Sequence, residues 1–130
     1  MAHQSRLAGF IIDCHTDDLP AAAEFWGAAL GLAVTDPNED GENKYAVLDG
    51  ERAGLHIEVQ RVSHASRVHL DIESDDIEAE VKRLLALGAS EVSRPHHARW
   101  VVMEAPTGQR FCVIRMRDTS RGPAVNRWPD

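Results

Sequence analysis

A near-repeat constrains this chain more than any other feature of its sequence. Ile11-Ile12-Asp13-Cys14-His15-Thr16-Asp17-Asp18 alternates in polarity and runs into a helical segment, and Val68-His69-Leu70-Asp71-Ile72-Glu73-Ser74-Asp75-Asp76 does the same. At an offset of 58, Asp13 falls on Asp71, Asp17-Asp18 on Asp75-Asp76, and Leu19 on Ile77. The two helical segments then stop at Leu30-Gly31 and Leu87-Gly88, one residue out of step. A duplicated supersecondary unit leaves this kind of self-similarity.

Each copy reads as one strand, one helix and three further strands. In the first, Leu7 to Cys14 is a strand with Phe10, Ile12 and Cys14 on one face and Ile11, Asp13 and His15 on the other. Asp17 or Asp18 caps the helix, and Pro20 sits in its first turn, where a missing N–H costs nothing. Ala22, Phe25, Trp26, Ala29 and Leu30 recur at helical spacing and predict the buried stripe, with Gly31 as the left-handed stop. Ala33 to Thr35 is a short strand, and 36–43 a polar loop rich in turn residues. Tyr45 to Leu48 and Leu55 to Val62 are strands, the latter with Leu55, Ile57 and Val59 opposite His56, Glu58 and Gln60.

The second copy places Val68, Leu70 and Ile72 opposite His69, Asp71 and Glu73. A helix from about Asp76 to Leu87 presents Ile77, Val81, Leu84 and Leu85. Strands follow at Glu91 to Ser93, Trp100 to Met103 and Arg110 to Met116, with adjacent histidines His96 and His97 in a loop. The plan is β-α-β-β-β twice, an α+β class, in one domain of residues 1–117 with modules at about 7–62 and 67–117. Residues 118–130, poor in apolar side chains, are expected to be a C-terminal tail.

If the apolar parities pack on the helices, one polar face remains, carrying Asp13, His15, His56, Glu58, Gln60, His69, Asp71 and Glu73. Antiparallel sheets often keep one wet face, so alternation alone does not make a site. Three histidines among several carboxylates are nevertheless a different population from the Lys, Thr and Gln of a plain wet face. A His and a carboxylate on neighbouring strands could begin a divalent metal site, while Asp13 and Asp71 could serve acid–base chemistry or hold a cation. Trp100, opposite in parity to Val101 and Met103, could wall the site, with core packing slightly favoured over that role; Phe25 and Trp26 are expected in the core, and Arg61 and Arg67 in solvent.

Charge and length narrow the classes. A formal net charge of -7 argues against a protein held to nucleic acid by phosphate contacts. No apolar run approaches the ~18 residues of a membrane span, and Met1 to Arg6 lacks a signal-peptide core, so a cytoplasmic protein without membrane or nucleic-acid partners is expected. Cys14 and Cys112 have opposite parities relative to their apolar neighbours and are not expected to pair.

The chain resembles the glyoxalase/bleomycin-resistance/extradiol-dioxygenase (vicinal oxygen chelate) superfamily over about residues 7 to 117, and most of all its small glyoxalase-like domain proteins. The resemblance rests on Asp18-Leu19-Pro20 through Phe25-Trp26 to Leu30-Gly31-Leu32, then Gln60-Arg61-Val62, Val68-His69-Leu70-Asp71, Leu87-Gly88-Ala89 and Ala105-Pro106-Thr107-Gly108-Gln109-Arg110-Phe111-Cys112. It implies paired βαβββ modules forming a cupped mixed sheet with helices outside, and a homodimer. Metal-dependent members take one ligand from the first and last strand of each module, which carries over to Ile11, Glu58, His69 and Cys112. Glu58 and His69 match the ligand types, whereas Ile11 stands for a histidine and Cys112 for a glutamate.

Two readings follow. In the first, the protein binds or sequesters a small organic molecule, as resistance proteins do, through a cleft of Asp13, His56, Glu58, His69, Asp71, Trp100 and Cys112, without a full metal set. In the second, it is a metal-dependent lyase, isomerase or dioxygenase using Glu58 and His69 with Zn, Ni, Mn or Fe. Whether there is any catalysis, and any metal at all, stays open at this point.

Overall fold

A computed structural model describes residues 2–95, 99–117, 120 and 122–129. His96 and His97 lie outside these. The chain divides into two compact units, Gly9–Val68 and Met1–Ala8 with His69–Asp130. It is an α+β protein built on two βαβββ modules, and among the described residues no helix is long and apolar enough to cross a membrane.

The first unit comprises the 9–15 part of β1 (His3–His15), α1 (Leu19–Leu30), β2 (Val34–Asp36), β3 (Tyr45–Leu48) and β4 (His56–Val62). β4 runs parallel to β1 and antiparallel to β3, which pairs in turn with β2. Asp18 caps α1 by accepting from the Ala21 N–H at 3.0 Å, and Gly31 ends the helix in the left-handed region with φ 70°. Leu19, Ala23, Ala46, Leu48, Ile57 and Val59 form the core, with Phe10, Cys14, Ala22 and Trp26 packed against it.

The buried stripe of α1 is therefore rotated from the expected one. Leu19, Ala23 and Gly27 face the sheet, Ala22 and Trp26 flank them, and Phe25 is 62% exposed. Periodicity admitted both stripes, because α1 is apolar nearly all round; its small residues let the helix approach the sheet, leaving bulky Phe25 outside. Its ring meets Trp26 edge-on at a centroid distance of 5.1 Å.

The second unit holds β5 (Arg67–Ser74) from His69 onward, α2 (Ile77–Ala86), β6 (Ser90–Ser93), β7 (Trp100–Glu104) and β8 (Arg110–Arg115). β5 and β8 are parallel, and β7 is antiparallel to both β8 and β6. Ile77, Val81 and Leu84 of α2 cover Val101, Met103 and Val113, with Ile72 and Phe111 at the edge. Ile72 thus joins the core, but Val68 and Leu70, expected on the same apolar face, are 58% and 52% exposed.

The segment expected to be a tail contains β9 (Asn126–Trp128), antiparallel to the start of β1 with His3 opposite Trp128. Charge anchors it. Glu80 of α2 is 0% exposed and accepts from His3 Nε2 and from both Arg83 nitrogens, Nε and Nη2, at 2.8 Å each. Trp128 Nε1 donates to Ser5 Oγ at 2.7 Å while its ring lies 3.9 Å beneath the Arg83 guanidinium. Arg6 donates to Glu73 at 2.5 Å and to the Pro123 carbonyl at 2.7 Å.

Two outcomes are expected. Gly9 lies in register with His56, and a Cβ there would stand 1.8 Å from the His56 carbonyl oxygen. Gly9→Ala should destabilise the protein by about 1–3 kcal/mol, read as a lower denaturant midpoint. Burial opposes the Glu80 charge, but the bonds from Arg83, His3 and Ser5 outweigh it and hold the carboxyl below its usual range. Its stabilising contribution is therefore complete above the unfolded-state pKa of about 4.3 and lost as pH falls through the lower folded value. Glu80→Gln should cost about 1.5–3 kcal/mol at pH 7 and flatten the acid limb of a stability–pH curve.

Candidate functional site

Strand register decides which polar side chains meet. In the first unit, Phe10 pairs with Ile57 and Ile12 with Val59 on the side of α1. The alternate positions therefore point away from the helix: Ile11 opposite Glu58, Asp13 opposite Gln60, and, on β3, Val47 opposite Glu58 and Tyr45 opposite Gln60. In the second unit, Val101, Met103 and Val113 face α2, so Cys112, its β5 partner Asp71 and its β7 partner Val102 lie on the other side. Trp100 has that same parity and is 36% exposed, so it lies outside the core under α2.

Buried carboxylates mark this polar side. Asp13, Glu58 and Asp71 are 2%, 5% and 8% exposed. Each stands beside a more accessible group that can bear positive charge. His56 Nε2 makes a short contact with Glu58 Oε1; His69 Nε2 lies 3.5 Å from Asp71 Oδ1; and Arg67 Nε lies 3.5 Å from Asp13 Oδ2. Arg67 is thus not merely solvated, and neither is Arg61, which donates to the Asn43 carbonyl at 2.8 Å. A carboxylate taken from water costs free energy unless it is paired, and these contacts supply the pairing. His15, by contrast, is exposed.

Among the described residues two clusters of potential metal ligands result, one in each unit. His69, Asp71 and Cys112 have donor atoms all within 4.8 Å of one another, and so have Glu39, His56 and Glu58. Glu39 was missed by the reading of the sequence. It belongs to the 36–43 loop, which folds back so that the Glu39 N–H donates to the Tyr45 carbonyl at 2.9 Å. Side chains of Asp36, Asn38 and Asp40 shape that loop by accepting backbone N–H groups, an arrangement that residue spacing does not disclose.

The four positions implied for a metal centre do not fit one. Ile11 is buried directly beside Glu58 and offers no lone pair. Cys112 pairs in register with Asp71 rather than with His69. A shallow depression on the outer side of α1, lined by Ala21, Glu24, Phe25, Ala28 and Ala29, contains none of the candidate residues.

The two thiols differ. Cys14 packs toward α1 and Cys112 faces away from α2, as the opposite parities required. Burial pushes the Cys14 thiol up, a hydrogen bond with Trp26 pulls it part of the way back, and the Asp13 charge adds to the rise. A raised thiol holds less of the reactive thiolate. In the folded protein Cys14 should therefore be alkylated by iodoacetamide at pH 7.5 about tenfold or more slowly than in the urea-unfolded chain, measured by peptide mass mapping.

Comparison with known proteins gives a consistent account of the fold. A family model described as a glyoxalase-like domain matches residues 9–114. Among solved structures, a hypothetical protein from Bacillus halodurans C-125 is similar at TM-score 0.62 and 13% identity, covering 89% of this chain and 97% of that one. Methylmalonyl-CoA epimerase from Mycobacterium tuberculosis is similar at TM-score 0.62 and 17% identity, with 86% and 88% covered. A glyoxalase/bleomycin resistance protein/dioxygenase superfamily member from Vibrio splendidus 12B01 gives TM-score 0.52 and 18% identity, with 86% and 99% covered. No curated protein matches the sequence. At these identities the structural likenesses bear on the fold alone.

Proposed function

Because this chain belongs to the glyoxalase-like domain family, we propose that it binds a small organic molecule on the polar sheet faces of its modules, as a binding or sequestering protein. The observation that carries this reading is the set of buried carboxylates, Asp13, Glu58 and Asp71, each beside an accessible histidine or arginine. Such pairs present a preorganised donor and acceptor to a ligand at little reorganisation cost. Trp100 supplies an apolar wall to the second unit's face. The net charge of -7 and the carboxylates favour a cationic or hydrogen-bond-donating compound. A cytoplasmic homodimer, like the bleomycin-resistance type of function, belongs to the same proposal and rests on the resemblance.

The second reading is a metal-dependent lyase, isomerase or dioxygenase using Glu58 and His69. It is favoured by one observation, that each of these residues has further potential ligands close by. It requires both residues, and Ile11 weakens it.

A thermal-shift screen of small organic cations and neutral polar compounds, run in the presence of a chelator, tests the binding reading without metal. A hit should bind about tenfold or more weakly to Asp13→Asn or Glu58→Gln by calorimetry, and its affinity should fall as salt is raised. If no compound stabilises the protein, or if both variants bind a hit with unchanged affinity, the reading fails.

A further inference from the structure

We propose that His69, Asp71 and Cys112 form a thiolate-containing zinc site within the second module, which shares His69 and Cys112 with the ligand set that the family resemblance implies but takes Asp71 in place of Ile11 and Glu58. The three residues offer an imidazole, a carboxylate and a thiol on one side of two paired strands. That mixture suits a borderline-soft ion such as Zn2+ and is poorly matched to Mg2+ or Ca2+, which take oxygen ligands.

The distances support it. Zinc bonds of about 2.0–2.3 Å in a tetrahedron separate neighbouring donor atoms by roughly 3.3–3.8 Å. His69 Nε2 and Asp71 Oδ1 already stand 3.5 Å apart. All three donors lie within 4.8 Å, so the thiol has to close by no more than about 1 Å, a small side-chain adjustment rather than a strand shift. Register explains why Asp71 completes the set. It is the β-partner of Cys112, and its position two residues after His69 keeps it on the same side of β5. The surroundings suit three protein ligands with one position open: Asp71 is buried, whereas His69 and Cys112 keep partial access to solvent. On binding, the Cys112 thiol gives up its proton to solvent and ligates as the thiolate.

The other cluster is the weaker candidate. Glu39, His56 and Glu58 carry no thiol, Glu39 is an exposed loop residue, and His56 and Glu58 are already bonded to each other. Glu58 is nonetheless the position at which the family resemblance expects a ligand, so it separates the two possibilities. The zinc proposal does not depend on the organic-ligand reading, and either can fail alone.

The test uses the full chain loaded with Zn2+ or Co2+, followed by elemental analysis and optical absorption. About one ion per chain is expected, and the Co2+ form should show a thiolate-to-cobalt charge-transfer band in the near ultraviolet. Cys112→Ser should abolish the band, and Asp71→Asn and His69→Ala should each weaken Zn2+ retention by about tenfold or more. Glu58→Gln and Cys14→Ser should leave stoichiometry and band unchanged. Thermal unfolding of each variant with chelator present, matching the metal-free parent, distinguishes ligand loss from misfolding; for a variant that fails this check, Co2+ titration of Asp71→Glu replaces it. Absence of a stoichiometric ion, persistence of the band in Cys112→Ser, or loss of the ion in Glu58→Gln would each overturn the proposal.

Discussion

The burial of one sheet face under one helix, repeated in each unit, is the constraint on which everything else depends. Fully burying a valine, leucine or isoleucine contributes about 1.5–3 kcal/mol, and each helix covers a continuous patch of such residues. Strand side chains alternate strictly, so committing Ile57 and Val59 to α1 commits Glu58 to the opposite side, and committing Val113 to α2 does the same for Cys112. A slip of one residue would put carboxylates beneath the helix and leucines in water, which is why the register is strongly specified.

The polar side inherits an electrostatic problem from that solution. Asp13, Glu58 and Asp71 are nearly dry, and each has a histidine or arginine beside it. An acceptor held in place by a donor that can still turn outward is suited to recognition. Ile11 stands where the superfamily resemblance calls for a metal ligand, and its aliphatic side chain closes that position to any ion. Polar chemistry remains on both modules, and among the described residues each unit holds a cluster of potential ligands of its own.

At the ends of the chain, charge performs what apolar burial does elsewhere. The start of β1 and the short β9 have little apolar area to offer. They are joined to α2 and β5 through Glu80, Arg83 and Trp128, and through Arg6 and Glu73. Such buried pairs are poor sources of net stability but impose high penalties for mispairing, so they select one arrangement of these segments over others.

Local periodicity was enough to establish the α+β class, both helices with their boundaries at Asp17 or Asp18, Gly31 and about Asp76, and the division of each strand into helix-facing and polar sides, because these depend on residues only two to four apart. It placed Asp13, His56, Glu58, His69, Asp71 and Cys112 on the polar side without saying which of them touch. Tertiary structure decided that Cys112 meets Asp71, that Glu39 reaches His56 and Glu58, that Phe25, Val68 and Leu70 stay exposed, and that Asn126–Trp128 forms a strand. Parity assigns a face, whereas neighbours are set by the register between distant strands and by where a loop returns, and both are long-range properties that no window of sequence contains.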